Sequence, residues 1–122
     1  MAGIAPSRET ALAIARLIDE GKAEDTVVLE LGELASFADY FVIATVRSSA
    51  HLAGLARRLT AFLKECDLRP LNRHKRATPK GWLLMDCGAI VVHLMEKDAR
   101  EFYDLERLWF KSQKLPYWSK SS

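Results

Sequence analysis

Three potentially reactive side chains lie close together in the segment MDCGAIVVH, residues 85–93. Asp86, Cys87 and His93 supply a carboxylate, a thiol and an imidazole, which are the components of a nucleophilic site. The flanking runs WLLMD and AIVVHLM, on either side of Gly88, predict a β-hairpin. A two-residue turn at Gly88 puts Cys87 at the turn or on the face opposite Asp86 and His93. Asp86 and His93 share a face but stand about two residue steps apart, beyond hydrogen-bond reach. We therefore predict no nucleophilic site here.

Side-chain alternation sorts the two strands of this hairpin into an apolar face and a mixed face. The apolar face, which we assign to the core, comprises Leu83, Met85, Ile90, Val92 and Leu94. The mixed face, which we call the tryptophan face, comprises Trp82, Leu84, Asp86, Val91, His93 and Met95. A mixed face with a tryptophan at its centre is typical of a partner-binding surface. The alternative is structural: a packed histidine at His93, turn chemistry at Asp86 and a half-buried aromatic cover at Trp82.

The chain lacks the motifs of the common catalytic and metal sites. It contains no GxGxxG, no GxxxxGK[ST] and no GxSxG. The three histidines are far apart and have no metal-ligand spacing. Asp39 and Asp86 are single carboxylates, whereas two-metal chemistry needs carboxylates arranged together. We predict no enzyme activity, no metal and no cofactor. A residual nucleotidyltransferase-like enzyme using Asp39 or Asp86 is the weaker alternative.

Length and composition indicate one ordinary globular domain. The 122 residues are 49% hydrophobic and 28% charged, with a formal net charge of +2. No apolar run reaches the length of a membrane span, and no secretory signal is visible. The two cysteines, Cys66 and Cys87, form no CxxC and are typical of reduced thiols. These features predict a cytoplasmic protein with no membrane partner.

Positive charge is concentrated in the second half of the chain. Residues 57–80 contain eight basic side chains and only two acidic ones. A solvated surface is the simpler interpretation of such a run, and a patch facing an acidic partner or RNA phosphates is the alternative.

Hydrophobic periodicity predicts the element order α-β-β-α-β-β-β-α. The first helix begins after Ser7 and ends at Gly21. Strands follow at residues 26–31 and 40–46, the second of them central because it is apolar on both faces. A helix capped by Ser48 or Ser49, an edge strand over 67–71, a basic loop over 72–81 and the hairpin come next. The last helix covers 98–109, with Asp98 as its N-cap and with Phe102, Leu105 and Leu108 packed inward. We predict an α/β fold: one mixed sheet of about five strands flanked by helices.

Three segments, with the spacing between them, resemble the ribosomal silencing factor family, also called RsfS or Iojap-like. They are ADYFVIAT (38–45), WLLMDCGAIVVHLM (82–95) and REFYDLERLW (100–109), of which the last is highly specific. The resemblance implies a single domain over residues 1–110 with nucleotidyltransferase-like topology. Residues 111–122, which contain lysines and no acid, are predicted to form a flexible basic tail. The resemblance also implies binding to the large ribosomal subunit through its ribosomal protein fourteen, which blocks docking of the small subunit and represses translation. Family members in organelles act in ribosome assembly, so the resemblance also implies an alternative function as a large-subunit assembly factor. Family members that are not bound to a ribosome are often homodimers, which implies a homodimer here.

The same resemblance implies which residues touch the partner. The family's surface corresponds here to Trp82, Leu84 and Asp86, with His93 adjacent and Tyr103 as a weaker candidate. The chain departs from the family's usual pattern at Ala89, where an acid is common.

A second departure is the loop before Trp82, which is NRHKRATPKG instead of Gly- and Glu-rich. We predict that Arg73, Lys75 and Arg76 of this loop face ribosomal RNA.

Overall fold

The structure is a computed structural model that describes residues 8–31, 38–66, 76–77, 81–103 and 113–114. Within these ranges the chain forms three helices and six strands. In chain order they are α1 (Arg8–Glu20), β1 (Glu24–Glu30), β2 (Tyr40–Val46), α2 (Ser49–Glu65), β3 (Arg76–Ala77), β4 (Trp82–Asp86), β5 (Ile90–Glu96), α3 (Lys97–Tyr103) and β6 (Gln113–Lys114). Within the same ranges, no helix combines the length and the apolarity that crossing a bilayer requires.

All the strands join one mixed sheet in the order β3-β4-β5-β2-β1-β6. β2 lies between β1, to which it is antiparallel, and β5, to which it is parallel. The prediction of a central strand over residues 40–46 is therefore confirmed. Parallel strands need a crossover connection. Here the connection from β2 to β5 consists of α2, β3 and β4. The predicted fold, a mixed sheet flanked by helices, is confirmed.

The ends of the sheet differ from the sequence prediction. The edge strand next to β4 is Arg76–Ala77, inside the segment predicted as a loop. The segment 67–71, where we predicted that strand, lies outside the described residues. At the other edge, Gln113 and Lys114 pair with Glu30 and Leu29 of β1, although they belong to the segment predicted as a flexible tail. Two-residue strands have no hydrophobic period to recognise, so neither could be found by alternation.

Capping and a histidine bridge hold the start of α2. The Ser48 hydroxyl accepts from the His51 amide at 3.1 Å, which confirms one of the two predicted caps. The His51 ring accepts from the Arg47 amide at 3.0 Å through Nδ1 and lies 2.7 Å from the Gly21 carbonyl through Nε2. The turn after α1 is thus tied to the turn before α2.

Gly21 is needed here for space and not for a left-handed conformation. The positive φ of the turn after α1 belongs to Lys22, whereas a Cβ at Gly21 would collide with the Leu55 side chain. Helix α1 does end at this glycine, but the reason is the close approach of α2.

Two apolar clusters lie on the two sides of the sheet. The side covered by α1 and α2, which we call the helix face, buries the hairpin residues Leu83, Met85, Cys87, Ile90, Val92 and Leu94. The opposite side is the tryptophan face, where Val91 and Met95 pack with residues of β1 and β2 such as Phe41. Ala99 of α3 packs against this second cluster. The sheet is therefore covered on both sides, at least in part.

Candidate functional site

The hairpin has the register that the apolar sorting predicted. Trp82 pairs with Met95, Leu84 with His93, and Asp86 with Val91. The loop consists of Gly88 and Ala89, and the Cys87 amide donates to the Ile90 carbonyl at 2.8 Å. The two-residue turn is confirmed, and so is the separation of Cys87 from Asp86 and His93.

Asp86 shapes the turn. Its Oδ1 accepts from the Gly88 amide at 2.9 Å, which is the local carboxylate-to-backbone bond that favours turns. Gly88 has φ of +86°, a value that L side chains rarely adopt. The carboxylate that could have been catalytic therefore has a structural function at the end of the hairpin.

Cys87 is not a reactive thiol. It is 6% exposed and lies in the cluster on the helix face. Burial, with a smaller contribution from the Asp86 charge, raises the pKa of this thiol to about 11. Because the thiolate is the nucleophile, a thiol that stays protonated at neutral pH is chemically inert.

His93 lies beneath the surface of the tryptophan face. It is 3% exposed, and burial lowers the pKa of its imidazole to about 4. Its Nδ1 lies 3.2 Å from the Trp82 Nε1. An indole N–H can only donate, so Nδ1 must be the acceptor and the ring must be neutral, with its proton on Nε2. Among the described residues, this Nε2 has no hydrogen-bond partner.

The ring of His93 also supports two aromatic side chains. Its centroid lies 4.6 Å from that of Phe41, in an edge-on arrangement, and 5.9 Å from that of Trp82. A direct partner contact by His93 was predicted, but its burial leaves almost no surface for one. The geometry supports a positioning role instead, in which His93 orients the indole of Trp82.

Trp82 and Leu84 are half-buried and pack against the cluster that contains Val91 and Met95. Asp86 is also half-buried. The three residues stand at alternate positions of β4, so their side chains project on the same side of the sheet. They form the accessible part of the tryptophan face, over a floor of fully buried side chains.

Helix α3 presents one side chain whose exposure the sequence did not predict. Phe102 was predicted to pack inward, but it is 80% exposed. Among the described residues, it is the only large apolar side chain that is exposed. The prediction was wrong because the helix turns Ala99, not Phe102, toward the sheet. Arg100 anchors the helix by donating to the Asp25 carbonyl at 2.6 Å and to the Thr45 hydroxyl at 2.9 Å.

Other predicted features of α3 have mixed outcomes. The helix begins at Lys97, so Asp98 lies in its first turn and is not the N-cap. Tyr103 is the last residue of α3, and its side chain lies outside what the structure describes. Leu105 and Leu108 also lie outside the described residues.

The predicted RNA-facing loop is only partly described. Arg73 and Lys75 lie outside the described residues, whereas the backbone of Arg76 pairs with Leu83 in the edge strand β3. The loop therefore leads directly into the strand beside Trp82.

The described residues contain no group of three or more His, Cys, Asp or Glu side chains that could hold a metal ion. Asp39, one of the two carboxylates considered for metal chemistry, is exposed, and its amide donates to the Ala89 carbonyl at 2.7 Å. The arrangement on the tryptophan face is suited to recognition by contact, because it offers an aromatic side chain, an aliphatic one and a carboxylate.

Comparison with known proteins agrees with this picture. The ribosomal silencing factor RsfS of Treponema pallidum is 38% identical over 100 residues, which cover 81% of this chain and 88% of that protein. The mouse protein named mitochondrial assembly of ribosomal large subunit protein 1 is 33% identical over 95 residues, which cover 76% of this chain and 42% of that protein.

Solved structures show the same fold. A crystal structure of a Chromobacterium violaceum protein superposes with a TM-score of 0.77 at 26% identity, covering 92% of each chain. A crystal structure of a Bacillus halodurans protein superposes with a TM-score of 0.75 at 27% identity, covering 90% of this chain and 99% of that chain. The sequence model of the family RsfS, described as ribosomal silencing factor during starvation, matches residues 4–121. The chain therefore belongs to the ribosomal silencing factor family.

Proposed function

We propose that this protein binds the large ribosomal subunit through ribosomal protein fourteen of that subunit and thereby blocks docking of the small subunit. The observation that carries the proposal is the oriented, half-buried Trp82 at the accessible part of the tryptophan face. Tryptophan is among the residues most enriched at binding hot spots, since it buries a large area with few rotatable bonds. In this proposal the protein represses translation by its bulk and needs no catalytic step, metal or cofactor.

The surroundings of Trp82 fit this role. Leu84 extends the apolar contact, and the carboxylate of Asp86 supplies a negative charge at the end of the strand. On α3, Asp98 and Glu101 are exposed. These acids suit a basic ribosomal protein surface. We include Tyr103 among the contacts because α3 follows directly on β5, two residues beyond the partner of Trp82 in the register.

Replacing Trp82 by alanine tests the proposed contact. We expect the variant to lose about 2 kcal/mol or more of binding free energy toward isolated ribosomal protein fourteen and toward the large subunit. Binding is measured by calorimetry and by cosedimentation with purified large subunits. Inhibition of subunit joining, followed by light scattering, should weaken in parallel. Wild-type binding by a folded Trp82→Ala protein contradicts the proposal.

A matched pair of leucine variants separates recognition from loss of folding. Leu84 and Leu12 are both half-buried, but Leu12 lies on α1, on the opposite side of the sheet. We expect Leu84→Arg to abolish binding to the large subunit and Leu12→Arg to retain it. The two variants should have similar thermal stability. Equal loss of binding by both variants would point to instability and not to a contact.

The basic loop is proposed to contact ribosomal RNA beside this protein interface. Changing Arg73, Lys75 and Arg76 together to glutamine should weaken subunit binding and flatten its salt dependence, because fewer counterions are then displaced from RNA. Binding to isolated ribosomal protein fourteen should be unchanged. Identical affinities of variant and wild type for the subunit at low and high salt contradict an RNA contact.

A role in large-subunit assembly is the second candidate, favoured by the name of the mouse relative. Sucrose-gradient profiles of cells that lack the protein distinguish the two. Silencing predicts mature subunits that associate too readily under starvation, whereas an assembly role predicts immature large particles. A cytoplasmic location and a homodimer in the unbound state belong to the same proposal, and light scattering on the purified protein tests the dimer.

A further inference from the structure

A groove on the helix face lies on the other side of the sheet from Trp82 and has no part in the proposed ribosome contact. It has a volume of about 550 Å³. Its lining consists of Leu52, Ala53, Ala56, Arg57, Thr60, Ala61 and Lys64 of α2, together with Leu83 of β4. One wall is therefore a helix, and the floor includes a strand near the edge of the sheet.

Among the described residues, no second helix lies beside α2 over this part of the sheet. α1 packs against β1 and β2, and α2 packs against β2 and β5. A helix is about 10 Å wide and neighbouring strands are about 4.8 Å apart, so one helix covers about two strands. The next strand in the sheet is β4, and its inward-facing Leu83, which is only 4% exposed, contributes to the lining of the groove. A helix laid beside α2 would cover this groove.

The chemistry of the wall favours close approach of such a helix. Ala53, Ala56 and Ala61 are short, which leaves room for the side chains of a partner. The Thr60 hydroxyl donates to the Ala56 carbonyl of its own helix at 2.8 Å. This bond satisfies the hydroxyl within α2, so Thr60 is compatible with an apolar wall.

The rim of the groove carries positive charge. Arg57 and Lys64 are exposed and stand seven positions apart on α2, about 10 Å along its axis. Within the described part of the chain, no ion pair involves either of them, and none of the lining residues named above is acidic. Two cations beside an apolar floor complement an amphipathic helix that has acidic side chains two turns apart. RNA would gain little from the alanine wall and Leu83, which argues against nucleic acid as the occupant.

We propose that this groove, between α2 and β4, docks an acidic amphipathic helix of a partner protein. The length of the lining, from Leu52 to Lys64, corresponds to about 18 Å, or about three helical turns. Because the groove and the tryptophan face lie on opposite sides of the sheet, the partner and the large subunit bind at the same time.

The test uses the full chain and two synthetic peptides of about four helical turns. Both peptides carry leucines at spacings of three and four residues. On the flank of this apolar stripe, the glutamate peptide has two glutamates two turns apart, and the lysine peptide has lysines at the same positions. We expect the glutamate peptide to bind with salt-dependent affinity and to shift the backbone amide signals of residues 52–64. The lysine peptide should not bind. Equal binding of both peptides, no binding of either, or signal shifts confined to Trp82 and Leu84 would overturn the proposal.

A charge-reversal pair provides the control. Arg57→Glu should weaken the glutamate peptide about fivefold or more, since an attraction is replaced by a repulsion. Arg16→Glu makes the same change at an exposed position of α1, away from the groove, and should leave the affinity unchanged. The double variant Arg57→Glu/Lys64→Glu should instead bind the lysine peptide.

Two other occupants give distinct results. Binding of an oligouridylate in place of the glutamate peptide, at the same amides, would assign the groove to RNA. Self-association that Ala61→Glu abolishes would assign it to a second copy of the chain. Either result overturns the proposal.

Discussion

The buried, neutral His93 predicts a specific pH dependence of stability. Burial lowers the pKa of its imidazole to about 4 in the folded protein, whereas the ordinary value is about 6.5. Between these two values the unfolded chain binds a proton that the folded protein does not. Stability therefore falls as the pH falls from about 6.5 toward 4, and the contribution is fully present only above about 6.5.

The size of the effect follows from the same two values. At about pH 4.5 the unfolded histidine is almost fully protonated and the folded one is mostly neutral. The difference corresponds to a loss of about 2.5 kcal/mol relative to about pH 7.5. His93→Leu removes the titrating group. Between about pH 7.5 and about pH 4.5, the free energy of unfolding of this variant should therefore decrease by about 2.5 kcal/mol less than that of the wild type. Urea denaturation at the two pH values, followed by far-ultraviolet circular dichroism, measures it.

The comparison between variant and wild type is what makes the test specific, because other groups that titrate in this range are common to both proteins. His93→Asn is the second variant, since it also lacks the titrating ring but offers an amide oxygen near the position of Nδ1. It should show the same reduced pH dependence and retain an acceptor for the Trp82 indole. Equal losses of stability in the wild type and both variants would refute the inference that His93 is neutral and buried.

Two further predictions concern the hairpin turn. Gly88→Ala should destabilise the protein by about 1–2 kcal/mol, measured by thermal or urea unfolding, because φ is +86° there. The added Cβ would meet nothing within 4 Å, so an unchanged stability would contradict the backbone explanation directly. Cys87 should resist alkylation by iodoacetamide at about pH 8 in the folded protein, since burial raises the pKa of its thiol to about 11. The half-buried Cys66 should react faster in the same mass-spectrometric time course, and equal rates would contradict the protected environment of Cys87.

Alternation along the two strands was sufficient to predict the hairpin faces. A strand sends successive side chains to opposite sides, so the parity of Trp82, Leu84 and Asp86 depends only on local geometry and on the length of the turn. A turn of two residues separated apolar from mixed side chains better than one of three, and the structure has that turn. The exclusion of Cys87 from the neighbourhood of Asp86 and His93 followed from the same parity.

Long-range contacts could not be read in the same way. Whether the tryptophan face is open depends on Phe41, three elements away in the chain, and on the path of α3 across the sheet. Both are tertiary facts, and they bury His93 while leaving Trp82 half-buried above it. Helical spacing likewise predicted an inward Phe102, but a helix of seven residues can turn either flank toward the sheet, and here it turns Ala99.

The sequence by itself determined the mixed α/β class, the central strand, the hairpin register and the family resemblance, because each of these depends on local periodicity or on motifs. The tertiary structure decided which side chains on a face are accessible, and so changed His93 from a proposed contact into a support for Trp82. It also decided that a groove lies between α2 and β4, where Leu83 is one of its lining residues. The physical reason is that alternation assigns a side chain to a side of the sheet, whereas its exposure depends on how far distant elements extend over that side.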